Sequence, residues 1–139
     1  MLRKHQNYKN MPITKNVIGN NEKYKYSFFF LSGMEKSSAF VRTFGDYPLI
    51  RIIDFLIYSR DFDYPITEIA KNSDVNFQTL KKLWPRLEKE KIVIATRILG
   101  GTTLYKINTQ NPVAMKIIEM NNFLCLRHME KREKIAMRA

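Results

Sequence analysis

Residues 66–90, ITEIAKNSDVNFQTLKKLWPRLEKE, decide the fold because they predict two helices separated by a tight turn. In the first helix, Ile66, Ile69 and Ala70 share the inward face. Pro65 lies near its start, where a missing backbone N–H costs nothing. We therefore expect a short helix, then the turn, then a longer and more regular helix.

The second helix of this pair presents two contrasting faces. Asn76 is a good N-cap for it, and Leu80, Trp84 and Leu87 recur at the spacing that places them on one buried side. Pro85 falls inside the pattern and removes a backbone hydrogen bond, so we expect the helix to be kinked or split there. The polar side chains elsewhere on its surface are Gln78, Lys81, Lys82 and Lys89. One face is therefore core and the other is cationic.

The flanking segments add one helix before this pair and a hairpin after it. Residues 48–59 carry apolar side chains at helical spacing, and Pro48 suits a first helical turn. Residues 92–98 and 102–107 are rich in β-branched and aromatic side chains. Two glycines between these runs supply the positive φ angles of a hairpin turn. The element order predicts an α+β fold that is mostly α.

A long helix that begins at Asn111 and Pro112 is expected to close the chain. Its apolar stripe consists of Val113, Ile117, Met120 and Leu124, widened by Ile118 and Phe123. The first two turns are expected to pack on the helix at residues 48–59. Beyond Asn121 the apolar stripe continues further than one small core can cover. We therefore expect a partner helix to cover these residues.

Composition narrows the class of partner. The 139 residues carry 24 Lys and Arg against 13 Asp and Glu, and this formal net charge of +11 favours polyanions. The single cysteine, Cys125, excludes an intrachain disulfide and is typical of a packing residue. No apolar run is long enough to cross a membrane, and the N-terminus lacks a secretory leader. We therefore expect a soluble, cytoplasmic protein.

Catalytic motifs are absent from the sequence. We find no phosphate-binding glycine loop, no histidine-rich metal cluster and no nucleophile motif. The sequence therefore predicts a protein that is not an enzyme, with no cofactor, no metal and no catalytic residues.

The element order is that of a winged helix-turn-helix, and the motifs resemble known members of that class. The stretches Thr67-Glu68-Ile69-Ala70, Val75-Asn76, Thr79-Leu80, Leu87-Glu88-Lys89, Ile92-Val93, Arg97, Gly100-Gly101 and Leu104-Tyr105-Lys106-Ile107 look like the core pattern of MarR-like and ArsR-like regulators. Phe44-Gly45-Asp46-Tyr47-Pro48 and Asn111-Pro112-Val113 more closely resemble small archaeal winged-helix proteins. The resemblance covers roughly residues 40–120. It implies a three-helix core, a β-hairpin wing and a transcriptional regulator that binds double-stranded DNA.

Two positions depart from the family pattern. Asp74 stands where the tight turn usually has Gly, although Asp visits the left-handed region more readily than most residues. Pro65 stands where a Ser or Thr cap is usual, so we expect the short helix to begin less regularly.

By this resemblance, DNA is contacted by the start of the second helix and by the hairpin. Gln78 is expected to pair with an adenine edge, Lys81 or Lys82 with guanine or phosphate, and Phe77 with a thymine methyl group. The implied DNA-binding set is Asn76, Phe77, Gln78, Lys81, Lys82, Arg97, Gly100, Gly101, Thr102 and Thr103. Arg97, Thr102 and Thr103 are expected on phosphates or in the minor groove. The competing interpretations are a solvated lysine face and a hairpin without a ligand.

The C-terminal helix is expected to form a homodimer. The interface residues are Ile117, Met120, Phe123, Leu124 and Met129. A two-fold dimer would place two recognition helices about one DNA turn apart, at roughly 34 Å, on a near-palindromic site.

The domain organisation has three parts. Residues 1–33 carry six basic residues and one acid, which predicts a loosely ordered basic extension, although a DNA-following arm or a true start at Met34 are alternatives. Residues 34–110 form the DNA-binding domain, and residues 111–139 form the dimerisation helix. Two other functions stay open, namely a protein-interaction module in a transcription or chromosome complex, and a plasmid or viral replication or partition protein.

Overall fold

The structure, a computed structural model, describes residues 37–138, and its elements follow the predicted order with two additions. They are α1 (Ala39–Phe44), α2 (Pro48–Tyr58), β1 (Tyr64–Pro65), α3 (Ile66–Asn72), α4 (Phe77–Lys89), β2 (Val93–Leu99), β3 (Thr102–Ile107) and α5 (Pro112–Arg138). The strands form one antiparallel sheet in the order β1-β3-β2. The α+β, mostly helical class is confirmed, and the arrangement is compatible with a winged helix. The proposed extension at residues 1–33 lies outside the described residues.

Helix α1 is the first addition. The Ser38 hydroxyl oxygen accepts the Val41 N–H at 3.1 Å and caps its start, and Gly45 ends it with a φ of 99°. A φ of 99° is a conformation that residues with a side chain rarely adopt, so glycine is favoured there. Phe40 is 3% exposed and joins the core, because α1 packs against α2 and α5.

Helix α2 forms the centre of the core. Its Ile52, Phe55 and Leu56 side chains are buried, and the Ser59 hydroxyl closes the helix by donating to the Phe55 carbonyl at 2.8 Å. The expected helix at residues 48–59 is therefore confirmed, with its last helical residue at Tyr58.

The turn between α3 and α4 is built from buried hydrogen bonds. The fully buried Ser73 hydroxyl donates to the Ile69 carbonyl at 2.6 Å, and the Val75 N–H donates to the Ala70 carbonyl at 2.9 Å. Asp74 adopts a φ of 52°, the left-handed conformation anticipated for it. The turn is thus fixed before α4 begins.

An ion-pair bridge holds the same turn from the side. Arg51 of α2 lies 3.3 Å from the Asp74 carboxylate through Nη1 and 3.4 Å from the Asp46 carboxylate through Nε. Because its side chain is only 17% exposed, Arg51 joins the start of α2 to the turn with restricted freedom.

Helix α4 has the predicted cap and the predicted core face. Asn76 Oδ1 accepts the Gln78 N–H at 2.8 Å, and Leu80, Trp84 and Leu87 are buried. The helix runs unbroken through Pro85, so it is not split there.

The sheet contains the expected hairpin and one unpredicted strand. Gly100 and Gly101 form the turn with φ angles of 57° and 79°. A bulge at Thr96 interrupts the pairing of β2 with β3. Strand β1 pairs with β3 through Tyr64 and Tyr105 and is the second addition to the predicted elements.

Helix α5 buries a different line of residues from the one expected. Ala114 and Ile118 are its buried positions, whereas Val113 is 58% exposed. Ile117 and Leu124 pack against the core from its edge. The predicted stripe is therefore wrong at Val113, because Ala114 and not Val113 lies on the buried side of α5. The element that α5 contacts most extensively is α1, and not the expected helix at residues 48–59.

Candidate nucleic-acid interface

The exposed face of α4 is cationic. Gln78, Lys82 and Lys89 lie on the side of the helix away from Leu80, and Lys81 and Arg86 flank them in exposed positions. Residues 77–87 contain no Asp or Glu, so positive potential is not neutralised along the first three turns. This face is suited to a polyanion.

The first turn of α4 positions its own side chains. Asn76, expected to contact DNA, uses Oδ1 to cap the helix, so this atom is already engaged. Phe77 is 39% exposed, and the Lys81 ammonium lies 5.6 Å from the centre of its ring. This cation–π contact holds Lys81 towards the N-terminal end of the helix.

Two exposed cations of this face do not belong to the DNA-binding set that the resemblance implies. Arg86 and Lys89 are exposed in the last turns of α4. Lys89 lies eleven residues, about three turns, after Gln78, and this spacing alone places both on one face. The sequence therefore contained the signal.

Arg97, which the resemblance places on a phosphate or in the minor groove, has a partner within the protein. Its guanidinium donates to both carboxylate oxygens of Asp63, from Nε at 2.9 Å and from Nη2 at 3.0 Å. The Thr96 hydroxyl donates to the same carboxylate at 2.6 Å. The bulge at Thr96 brings both side chains to Asp63, and the contact of Arg97 with a phosphate or the minor groove stays a prediction.

The electrostatics of this pair agree with its geometry. Hydrogen bonds from Arg97 and then from Thr96 lower the pKa of the Asp63 carboxyl, and the same carboxylate raises the pKa of Arg97. Both shifts favour the charged forms. Because Arg97 is 64% exposed, the pair orients the hairpin more than it stabilises the fold.

The hairpin tip carries no charge. Gly100, Gly101 and Thr102 are exposed, as predicted for a contact surface, and Thr103 is half-buried. The neighbouring apolar residues Ile98 and Leu99, which the prediction omitted, are 72% and 63% exposed.

The helix and the hairpin are held together by an aromatic contact. Trp84 of α4 meets Tyr105 of β3 edge to face, with ring centres 5.2 Å apart. Burial and the nearby Glu88 carboxylate raise the pKa of the Tyr105 phenol, so it stays protonated. This contact restrains the position of the hairpin relative to α4.

The residues expected at a dimer interface divide into two groups. Met120 and Phe123 are 40% and 71% exposed. Ile117 and Leu124 pack on the chain's own core, and Met129 is half-buried. Of the predicted interface residues, Met120 and Phe123 are therefore exposed on α5, whereas Ile117 and Leu124 face the core.

Cys125 lies on the inner side of α5. Burial and, to a smaller extent, the Asp54 carboxylate raise the pKa of its thiol to about 11, against an opposing effect of Arg42. A thiol with this pKa is protonated at neutral pH, which agrees with a packing role.

Comparison with known proteins leaves the class open. No family model matches the chain, and no curated protein matches its sequence. No helix within residues 37–138 is long and apolar enough to span a membrane. In that same part of the chain, no group of three or more His, Cys, Asp or Glu residues is arranged to hold a metal ion.

Proposed function

We propose that this chain is a winged helix-turn-helix protein that binds double-stranded DNA in the cytoplasm as a transcriptional regulator, without catalysis. Helix α4 is the recognition helix in the major groove, and the β2–β3 hairpin is the wing. The exposed face of α4 carries the proposal, because Lys81, Lys82 and Arg86 lie on the first three turns, where residues 77–87 contain no acid. Lysine and arginine on such a face neutralise phosphates and release counterions.

The hydrogen-bonded turn between α3 and α4 supports the choice of α4 as the recognition helix. A helix enters the major groove productively only when its start is held in a fixed direction. Ser73, the left-handed Asp74 and the Arg51 bridge supply that restraint, and Asn76 caps the first turn. Gln78 is then the side chain best placed to read a base edge.

The wing contributes through position more than through charge. The Asp63 carboxylate engages Arg97, so Arg97 is a positioning residue in this proposal. Thr102 and the two tip glycines remain the groups that reach the backbone or the minor groove.

The test is binding of the full chain to random duplex DNA over a salt series, with sequencing of the retained pool. Lys81→Ala with Lys82→Ala is expected to weaken binding and to reduce the slope of log affinity against log salt by about 0.9 for each lost phosphate contact. Lys131→Ala with Lys134→Ala removes the same charge from α5 and serves as the matched control. No binding of the unmodified protein at low salt, or equal slopes for both double variants, would refute the proposal.

A second candidate function is a protein-interaction module, and the apolar hairpin tip favours it. Ile98 and Leu99 expose more apolar surface than a wing lying on phosphates needs. The DNA-binding measurement over a salt series separates the regulator from the interaction module. Salt-dependent DNA binding that needs Lys81 and Lys82 supports the regulator, whereas no DNA binding at low salt supports the interaction module.

A further inference from the structure

Helix α5 has an exposed face that no other element within residues 37–138 covers. At about 1.5 Å per residue its 27 residues span roughly 40 Å, and its buried positions, Ala114 and Ile118, lie in the first two turns. Phe123 lies on the opposite side of the helix, near the middle, with 71% of its surface exposed. Met120, one turn earlier, is 40% exposed.

The charges around Phe123 form an ordered pattern. Lys116 and Glu119 lie seven and four residues before it, and Arg127 and Glu130 lie four and seven residues after it. Spacings of four and seven residues keep all four on the same side of a helix as Phe123. Each of the four is exposed. We call Lys116, Glu119, Met120, Phe123, Arg127 and Glu130 the Phe123 face.

This order of charges selects one orientation for a second copy. In an antiparallel pair with its two-fold axis at Phe123, a residue n positions before Phe123 meets the residue n positions after it in the other copy. Lys116 then meets Glu130 of the partner subunit, and Glu119 meets Arg127 of the partner subunit. A parallel pair would instead place each charge against its own copy, which is repulsive.

We propose that the Phe123 face is a self-complementary surface through which two copies of this chain pair their α5 helices antiparallel about Phe123. The two Phe123 rings meet at the axis, and Met120 meets Leu126 of the partner subunit. Lys116 and Glu119 already form a 2.9 Å ion pair within one helix. The pairing extends this into a chain of alternating charges that runs from one copy to the other.

The proposal commits to a second copy because the face is complementary to itself. Each attractive pair occurs twice by symmetry, as a closed two-fold interface requires. This surface also differs from the stripe expected from the sequence, since Ile117 and Leu124 pack on the chain's own core. The inference does not depend on DNA binding and is tested without DNA.

The experiment is sedimentation velocity of the full chain over a range of concentrations. The unmodified protein is expected to show a concentration-dependent dimer. Phe123→Glu is expected to weaken it at least 100-fold, since it places two carboxylates at the axis. Because Phe123 is exposed, circular dichroism is expected to show an unchanged fold.

Charge reversal tests the orientation. Glu119→Lys alone creates two repulsive contacts with Arg127, and Arg127→Glu alone creates two with Glu119, so each is expected to weaken the dimer at least tenfold. An equimolar mixture of the two variants makes every contact attractive again and is expected to form a heterodimer within a few-fold of the original affinity. Glu90→Lys, the same charge change at an exposed position after α4, is the control and is expected to leave the dimer unchanged.

Three results would overturn the proposal. The first is a monomer at every concentration up to about the millimolar range, where weak interfaces still associate. The second is a dimer that resists Phe123→Glu. The third is a mixture of Glu119→Lys and Arg127→Glu that associates no better than either variant alone, which would exclude the antiparallel register.

Discussion

The ion pair between Arg97 and Asp63 is a contact that sequence analysis did not predict. They lie 34 positions apart, and no local pattern connects them. The family resemblance predicts Arg97 on a phosphate or in the minor groove, and in the structure the bulge at Thr96 directs it to Asp63. A bulge adds one residue to a strand without a clear sequence signature, so this contact could not be predicted.

The pH dependence of Asp63 follows from this contact. Its pKa lies below the ordinary value of 3.8, so the ion pair contributes its full stabilisation above that pH and loses it as pH falls through the lowered pKa. In Arg97→Ala we expect the Asp63 pKa to rise towards 3.8, as measured by NMR titration of its carboxyl carbon. Lys106→Ala, a charge loss on the neighbouring strand, is expected to leave it unchanged. Identical titrations in all three proteins would contradict the assignment.

Cys125 gives a second prediction for a single residue. With its pKa raised from the ordinary value of 9.0 to about 11, Cys125 is expected to carry roughly 100-fold less thiolate at pH 8 in the folded protein than in the unfolded chain. We expect iodoacetamide to label Cys125 slowly in the folded protein and at the ordinary rate in urea. Rapid labelling of the folded protein would show that the thiol is accessible and ionised.

Among the helices and strands, the long ones could be predicted from the sequence and the short ones could not. Helix α4 has thirteen residues, a cap at Asn76 and three core positions, so its pattern was clear. Helix α1 has six residues and strand β1 has two, which is too short for either period to repeat. The only local signals for α1 were Ser38 before it and Gly45 after it.

Helix α1 is nevertheless expected to matter for stability. Phe40 is 3% exposed within the core, so Phe40→Ala should lower the free energy of unfolding by about 3–5 kcal/mol, as for other buried aromatic truncations. Phe44, whose ring centre lies 4.9 Å from that of Phe40, is 39% exposed, and Phe44→Ala serves as the control with a smaller loss. Urea unfolding measures both. Equal losses would contradict the assignment of Phe40 to the core and of Phe44 to its edge.

At the scale of the whole molecule, the two proposals combine into a geometric expectation. In the antiparallel pair each Pro112 lies eleven residues from the axis, so the two are separated by about 33 Å along the helices. The two DNA-binding domains therefore lie on opposite sides of the axis, and a two-fold reader needs its recognition helices about 34 Å apart, one turn of DNA. The combined proposals predict a near-palindromic site.

The spacing can be measured once a binding site has been selected. Inserting five base pairs between its half-sites would rotate them to opposite sides of the duplex, and we expect affinity to fall to that for random DNA. A symmetric pair of substitutions that preserves the spacing, placed outside the half-sites, is the control. Undiminished binding to the lengthened site would show that the two copies do not read DNA together.

The bulge at Thr96 also has a consequence for solubility. Strand β2 lies at the edge of the sheet, and its sequence VIATRIL is uncharged except for Arg97. A flat, apolar edge strand is a template on which further chains add by strand pairing. Here the bulge twists the edge and Arg97 places a charge in the middle of it. The Asp63 contact holds that charge at the strand, where it opposes the addition of a further strand while the hairpin remains exposed.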